Sequence, residues 1–224
     1  MKINSIHQIE MTSRCNLRCK YCVHPTMARA KEDMSDEVWA QTLGWVKQFV
    51  RDQTQGLELN LCGIGESTMH PKFGEWCLEA RDAIGPKRRL ILATNGVGLT
   101  EDHALAMRYA QMDVWVSLHR PEKAGPAVEL LKRYGVLRGT SSDPSLSAVD
   151  WAGQVKWHTS TPVREVCPWL SRGWAMVASD GAVLTCCFDG QGSDGRLGSV
   201  WENVPAMVSR AYSLCGACHH EVPT

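Results

Sequence analysis

The chain contains 224 residues, of which 44% are hydrophobic, so it is long enough to form one good-sized domain, or a domain with a small appendage, around a real core. Its 24 Lys and Arg residues balance its 24 Asp and Glu residues, which excludes a global basic field that would attract nucleic acid or an anionic membrane. The first residues show no signal peptide, and no segment approaches the ~18 apolar residues of a membrane span, so we expect a soluble, cytoplasmic protein with no membrane partner.

Predicted strands and helices alternate up to Gly135. Alternating apolar and polar residues predict a first strand over 3–9, and Ser35, followed by Asp36, is a suitable N-cap for an amphipathic helix over 36–52. The later elements are strands over 57–61, 90–93 and 113–118 and helices over 72–84, 101–110 and 126–134. This alternation predicts βα units and therefore an α/β fold, a partial barrel with a parallel sheet and helices packed outside it.

The alternation ends after about residue 140, where SSDPSLS is typical of a loop. Asp180-Gly181 between two apolar runs is a strong β-hairpin signal. The predicted elements here are strands over 174–179 and 182–186 and a last helix over 203–212. We therefore expect two units, a partial barrel over 1–145 and a small cysteine-bearing appendage of hairpin and helix over 146–224.

Ten cysteines are many for a chain of this size. In a reducing compartment they indicate metal binding or catalysis rather than disulfides. Eight of them fall into groups along the chain: Cys15, Cys19 and Cys22; Cys167, Cys186 and Cys187; Cys215 and Cys218. Cys62 and Cys77 stand apart, and we expect them to be packing thiols.

The first group has the spacing C-x3-C-x2-C and follows the first predicted strand directly. Three thiolates on one short loop can hold three irons of a 4Fe–4S cluster and leave the fourth iron open to a small molecule. The carboxyl end of a strand is also where α/β barrels place their chemistry. Zinc is the other interpretation, with His24 as a fourth ligand, although structural zinc sites usually have ligands in two pairs.

This loop resembles the signature of the radical S-adenosylmethionine (SAM) superfamily, C-x3-C-x-aromatic-C, with Tyr21 in the aromatic position. The resemblance implies that Cys15, Cys19 and Cys22 hold a 4Fe–4S cluster whose open iron is chelated by the amino and carboxylate groups of SAM. It also implies that Tyr21 lies beside the adenine. The expected reaction is reductive cleavage of SAM to a 5′-deoxyadenosyl radical, which abstracts a hydrogen atom from a substrate.

A second feature agrees with this resemblance. Gly63-Ile64-Gly65-Glu66 follows the second predicted strand, where the family has a Gly-Gly-Glu turn around the methionyl end of SAM. Glycines allow close backbone approach, and a carboxylate suits an ammonium group. The residues to which the resemblance assigns SAM contacts are Tyr21, Gly63, Gly65, Glu66, Thr94, Asn95, Ser117 and His119. Ser117 and His119 are equally well explained as polar residues at the mouth of the barrel.

The later cysteines resemble those of an auxiliary-cluster appendage called a twitch domain, a shortened form of the SPASM domain. The resemblance implies a second 4Fe–4S cluster, fully ligated by Cys167, Cys186, Cys215 and Cys218. Alternation along the hairpin points Cys186 and Cys187 in opposite directions, so only one should be a ligand, and Cys186 completes the spacing G-x4-C from Gly181. Because the chain ends six residues after Cys218, no further auxiliary cluster is expected.

Two other interpretations of these cysteines stay open. The same four thiols could hold zinc. Cys215-Gly-Ala-Cys218-His219 also matches the c-type haem attachment pattern, which normally requires export. Either interpretation would describe a protein for binding or electron transfer rather than an enzyme.

The length and cysteine layout are similar to those of the small deoxy-scyllo-inosamine dehydrogenases of aminoglycoside biosynthesis. This similarity implies an oxidoreductase that oxidises an alcohol to a ketone with the help of the auxiliary cluster. One alternative is modification of a peptide or protein side chain, although no peptide-binding domain precedes residue 1. Another is modification of a nucleoside or nucleic acid, and the neutral charge argues against the polymer. We expect a small-molecule substrate, an electron donor such as flavodoxin or ferredoxin, and a monomer.

Overall fold

Eight strands form one sheet in the computed structural model, which describes residues 1–118, 120–141, 150–156, 165–192 and 194–223. The strands are β1 (Ser5–Ile9), β2 (Glu58–Asn60), β3 (Arg89–Thr94), β4 (Met112–Ser117), β5 (Leu137–Ser141), β6 (Trp174–Val177), β7 (Ala182–Leu184) and β8 (Arg196–Ser199). The α-helices are α1 (Asp36–Arg51), α2 (Phe73–Ile84), α3 (Glu101–Tyr109), α4 (Pro121–Arg133) and α5 (Pro168–Arg172). Short 3₁₀ helices cover His24–Thr26, Ser67–Met69, Val204–Ala206 and Ser213–Ala217.

The strand order is β5-β4-β3-β2-β1-β6-β7-β8. Strands β1 to β5 pair in parallel with their neighbours, β1 also pairs in parallel with β6, and β6, β7 and β8 are antiparallel. Strands β5 and β8 lie at the two edges, so the sheet is not closed into a full barrel. The α/β class predicted from the alternation of elements is confirmed.

The two faces of the sheet differ in polarity. On one face, residues such as Leu90, Leu92 and Val114 have no exposed surface and form one hydrophobic core with the apolar sides of the helices. Because side chains alternate along a strand, the residues between them lie on the other face. There Arg89 pairs with Glu58 at 2.8 Å across β2 and β3. The core therefore lies on the helix side, and the opposite face stays polar and partly open.

The predicted helix over 203–212 is wrong. The structure has only a 3₁₀ turn at Val204–Ala206, after which the chain runs extended beside the N-terminus. The amide of Ile3 donates to the carbonyl of Met207, and Ser209 donates to the carbonyl of Met1, both at 2.9 Å. Pairing with a segment some 200 positions away therefore replaces the local helical hydrogen bonds.

Other differences concern weak local patterns. Helix α4 begins at Pro121 rather than near residue 126, since proline suits the first turn of a helix. Strands β5 and β8 and helix α5 were not predicted. Strand β5, Leu-Arg-Gly-Thr-Ser, has little apolar character and depends on its parallel pairing with β4. Such edge strands are defined by their neighbour in the sheet rather than by periodicity.

The predicted hairpin is present as β6 and β7, and it extends the same sheet through the pairing of β6 with β1. Most of SSDPSLS and the proposed boundary between residues 145 and 146 lie outside the described residues, so the division into two units stays a prediction. Throughout the described ranges, no helix combines the length and apolar character needed to cross a membrane.

Candidate active site

Cys15, Cys19 and Cys22 lie on the loop that follows β1, and all three are partly exposed. Burial raises the pKa of Cys22 to about 11, and the charges of Cys19 and Cys15 add to this effect. Burial also raises the pKa of Cys15, with a smaller contribution from Cys19. The loop therefore brings three thiols within electrostatic reach of one another, an arrangement that a positively charged metal centre would stabilise.

Main-chain and side-chain N–H groups point at the sulfurs of Cys15 and Cys22. Leu17 donates its amide to Sγ of Cys15 and His24 donates its amide to Sγ of Cys22, both at 3.4 Å. Asn95 Nδ2 lies 3.9 Å from Sγ of Cys15. Hydrogen bonds of this kind stabilise thiolates and tune the potential of iron–sulfur clusters. The donor set therefore fits a thiolate-bound cluster.

The turn Gly63–Glu66 packs directly against the chain that enters this loop. The amide of Glu66 donates to the carbonyl of Arg14 at 2.8 Å. A Cβ atom on Gly65 would overlap the backbone of Thr12 and Arg14, and one on Gly63 would overlap the side chain of Glu10. Both positions therefore require glycine, because the turn approaches the chain after β1 too closely for a side chain.

Glu66 is only 3% exposed, and its carboxylate accepts hydrogen bonds from several protein donors. It accepts from Thr94 Oγ1 at 2.7 Å, from the amide of Asn95 at 2.7 Å and from Thr68 Oγ1 at 2.9 Å. Burial raises its pKa, and these hydrogen bonds oppose that shift. In the structure, Glu66 thus joins the turn after β2 to the loop after β3.

Asn95 continues this connection to the cysteine loop. Its Nδ2 donates to Oδ1 of Asn16 at 2.8 Å, and Asn16 Nδ2 donates to the carbonyl of Val97 at 2.7 Å. Sequence reasoning did not single out Asn16, and its position between Cys15 and Leu17 is the only sequence signal for it. The carboxyl ends of β1, β2 and β3 are therefore linked by one chain of hydrogen bonds.

Tyr21 and Ser117, which are also expected to contact SAM, lie at the same end of the sheet. The carbonyl of Tyr21 accepts a hydrogen bond from the indole of Trp151. Ser117 is the last residue of β4 and is half-buried. His119 lies outside the described residues. The contacts of all these residues with SAM stay predictions.

The four cysteines of the second set line one cavity. Cys167 precedes α5, Cys186 follows β7, and Cys215 and Cys218 lie at the C-terminal 3₁₀ turn. The other residues that line this cavity are apolar or aromatic, except Thr185. The fold thus brings together four thiols that are separated by up to 51 positions in the sequence.

Hydrogen bonds to sulfur occur here as well. The amide of Phe188 donates to Sγ of Cys186 at 3.4 Å, and the amide of His220 donates to Sγ of Cys218 at 3.5 Å. Four thiols with N–H donors in one cavity fit a fully ligated 4Fe–4S cluster. In the described ranges no three His, Cys, Asp or Glu side chains converge on a single-ion site. A cubane does not require such convergence, since each thiolate binds a separate iron.

Cys186 and Cys187 have different surroundings. Cys186 lines the cavity, whereas Cys187 packs against the apolar cluster that contains Trp169 and Met176. A hydrogen bond from the Cys187 thiol lowers the pKa of Cys186. Of the two isolated thiols, Cys77 is completely buried in α2, and burial raises the pKa of Cys62 to about 12.

A buried ion pair near the site was not predicted from the sequence. Glu10, directly after β1, pairs with Arg29 at 2.7 Å, and its side chain has no exposed surface. Its oxygens also accept from the amide of Ile64 at 2.8 Å and from the amide of Ser179 at 3.2 Å. The only signal was a carboxylate in the apolar context Ile9-Glu10-Met11. The pair joins β1, the glycine turn and the β6–β7 hairpin.

Comparisons with known proteins agree with this geometry. The chain is 31% identical over 146 residues to a PqqA peptide cyclase from Rhizobium meliloti, a match that covers 64% of this chain and 35% of the cyclase. The chain therefore spans about a third of the length of this curated relative.

Two solved structures share the fold. BtrN in complex with AdoMet and 2-DOIA gives a TM-score of 0.74 at 19% identity, over 92% of this chain and 84% of BtrN. The enzyme anSMEcpe with bound AdoMet and Cp18Cys peptide gives a TM-score of 0.60 at 19% identity, over 89% of this chain and 78% of that one. These matches confirm the predicted α/β fold with a partial barrel.

The sequence model of the radical SAM superfamily matches residues 9–163. This range includes the first cysteine loop, the glycine turn and the loop after β3. This match spans more than half of the chain. Family membership implies SAM and one 4Fe–4S cluster as cofactors. The chain belongs to the radical SAM superfamily.

Proposed function

We propose that this radical SAM enzyme oxidises a small substrate and uses a second, auxiliary 4Fe–4S cluster as the electron acceptor. The observation that carries the proposal is the single cavity lined by Cys167, Cys186, Cys215 and Cys218. Four thiolate ligands satisfy all four irons of a cluster, so that no iron is open to substrate and electron transfer is its natural use.

The electrons and atoms balance for oxidation of an alcohol to a ketone. When bound, SAM and the first cluster supply a 5′-deoxyadenosyl radical that takes one hydrogen atom from a substrate carbon. The substrate then loses one electron, for which the auxiliary site is the acceptor, and one proton, which passes to solvent. An external donor such as flavodoxin or ferredoxin provides the electron for SAM cleavage.

The residues of the chain have distinct roles in this proposal. Cys15, Cys19 and Cys22 hold three irons of the first cluster and leave the fourth for SAM. Glu66 holds Thr94 and Asn95 in place, a role supported by its buried hydrogen bonds. The residues proposed to surround SAM are Tyr21, Gly63, Gly65, Glu66, Thr94, Asn95, Ser117 and His119. They bind and orient SAM and exclude water from the reacting atoms.

A small substrate is supported by the likeness to BtrN, which was solved with AdoMet and 2-DOIA and which matches 92% of this chain. Modification of a peptide is a second candidate. It is favoured by the sequence similarity to PqqA peptide cyclase and by the likeness to anSMEcpe with bound peptide. Both candidates use the same radical chemistry and differ in the substrate that fills the open face of the sheet.

The auxiliary site is tested by iron content after anaerobic reconstitution. We expect about eight irons per chain in the parent and about four in Cys218→Ala. Cys187→Ala is the matched control and should keep about eight, because Cys187, unlike the four proposed ligands, does not line the cavity. Circular dichroism verifies that both variants are folded. A parent protein with about four irons and one zinc would contradict the auxiliary cluster.

The substrate class is tested by isotope transfer. The reconstituted protein is mixed with SAM, dithionite and either carbon-deuterated 2-DOIA or deuterated Cp18Cys peptide, and 5′-deoxyadenosine is analysed by mass spectrometry. We expect slow SAM cleavage without substrate, and deuterium transfer from the small molecule. Deuterium transfer from the peptide but not from 2-DOIA would contradict a small substrate and favour peptide modification.

A further inference from the structure

The short segment 150–156 lies between the two cysteine sites. Its largest side chain is Trp151, whose indole Nε1 donates a hydrogen bond of 3.0 Å to the carbonyl oxygen of Tyr21. Tyr21 stands between Cys19 and Cys22. The two partners are 130 positions apart in the sequence, so this contact holds a distant segment against the first cysteine loop.

The Trp151 ring makes apolar contacts on two sides. It packs against the buried cluster of Val23, Met27 and Ile64, and Ile64 is the residue between the two glycines of the turn after β2. Its other neighbour is Phe188, with ring centroids 5.8 Å apart and planes at 71°, an edge-to-face arrangement that aromatic rings favour. One side chain therefore contacts the first cysteine loop, the glycine turn and the loop after β7.

The residues beside Trp151 extend the connection to the auxiliary cavity. Gln154 Nε2 donates to the carbonyl of Phe188 at 2.6 Å, and the amide of Phe188 donates to Sγ of Cys186. Ala152 lines the cavity together with the four cysteines. The segment therefore reaches the first cysteine loop through the side chain of Trp151 and the auxiliary cavity through Gln154 and Ala152.

The backbone of this segment is strained. Trp151 and Ala152 both have a φ of 56°, in the left-handed region that residues with a side chain rarely adopt. Strain of this kind persists only where surrounding contacts offset it, and it is concentrated at ligand clamps and other functional sites. Two consecutive strained residues indicate that the contacts of the indole determine the local conformation.

We propose that Trp151 is a positioning residue that holds the loop after β7, which carries Cys186 and Phe188, against the first cysteine loop and the glycine turn, so that the two sites become ordered together. The identity of the groups at the two sites rests on the proposed function, whereas the contacts of Trp151 do not. Ordering of the loop and turn by SAM is transmitted through this side chain to the residues after Cys186. A fixed relation between the sites is what electron removal from a bound substrate requires.

Hydrogen–deuterium exchange of the reconstituted full chain, with and without SAM, tests this role. In the parent, SAM should slow exchange both at 16–28 and at 187–191. In Trp151→Ala, SAM should slow exchange at 16–28 only, and exchange at 187–191 without SAM should rise roughly tenfold or more. Trp201→Ala is the matched control, because Trp201 is 60% exposed, and it should behave like the parent.

Trp151→Phe separates the two contacts, since it keeps a ring against Phe188 but removes the N–H that reaches Tyr21. It should speed exchange at 20–22 and leave 187–191 close to the parent. The proposal is overturned if Trp151→Ala changes exchange only within 150–156, or, should that variant not fold, if Trp151→Phe leaves 20–22 unchanged. The iron content of the parent is measured in parallel: a value near four contradicts the proposed function, while the exchange results still decide the role of Trp151.

Discussion

Arg29 Nη2 lies 2.7 Å from a carboxylate oxygen of Glu10, and the two side chains are 11% and 0% exposed. Arg29 also donates from Nε to the carbonyl of Gly190 at 3.1 Å. The pair thus joins the end of β1 to the segment after the first cysteines and to the loop after β7. A buried ion pair of this kind costs much to break, because the remaining charge has no partner.

Glu10→Gln should therefore lower the free energy of unfolding by about 3–5 kcal/mol, since it leaves the Arg29 charge uncompensated in a buried site. Urea unfolding of the anaerobically prepared protein measures the change. Asp82→Asn is the matched control, because the Lys47–Asp82 pair is exposed and 3.9 Å long. Its effect should stay below about 0.5 kcal/mol, and equal effects of the two variants would contradict a special role for the buried pair.

Gly65→Ala should destabilise the protein by about 1–3 kcal/mol and weaken SAM binding, because the new methyl group meets the backbone of Thr12 and Arg14. Isothermal titration with SAM and urea unfolding provide the two measurements. At Gly44, in the interior of α1, an added Cβ has no atom within 4 Å. Gly44→Ala should stabilise the helix by about 0.5–1 kcal/mol. Loss of stability at both positions would argue against the close approach at Gly65.

Asn95→Asp should shift the reduction potential of the first cluster to a more negative value. The change removes the N–H that faces Sγ of Cys15 and adds a negative charge, and both effects disfavour a reduced cluster. An EPR-monitored reductive titration measures the shift. Asn203→Asp adds the same charge at an exposed position without a capping hydrogen bond and should leave the potential unchanged. An unchanged reduction potential in Asn95→Asp would contradict an influence of the Asn95 side chain on the first cluster.

His7→Phe should change the pH dependence of stability. His7 stacks on Trp174 with centroids 3.8 Å apart, and burial, with a smaller effect of Arg172, lowers its pKa to about 4. Because the folded state then binds fewer protons than the unfolded state, whose pKa is near 6.5, this stability is present above pH 6.5 and is lost as the pH falls toward 4.

Between pH 7 and pH 5 the parent should lose about 2 kcal/mol more unfolding free energy than His7→Phe, which keeps an aromatic ring but cannot titrate. Urea unfolding at several pH values gives both curves. Parallel curves for the two proteins would show that the pKa of His7 is the same in the folded and unfolded states, and would contradict the lowered pKa.

The sequence by itself determined the elements whose residues interact within one segment. Helix α1 follows from Ser35 as N-cap, whose side chain accepts from the amide of Val38, and from apolar residues at helical spacing. Strand β1 follows from alternating apolar and polar residues, and β2 to β4 follow from short segments of apolar residues between turns. The spacing of Cys15, Cys19 and Cys22 likewise predicts a cluster loop, since all three cysteines lie within eight consecutive residues.

Only the tertiary structure decided what depends on contacts between distant segments. The local pattern of residues 203–212 predicts a helix. In the structure, Met207 instead pairs with Ile3, because the extended N-terminal segment lies beside it. The gathering of four thiols in one cavity, the burial of Glu10 against Arg29 and the bridge from Trp151 to Tyr21 have no periodic signal. Each joins residues many positions apart, and their proximity follows from the path of the folded chain rather than from residue type or spacing.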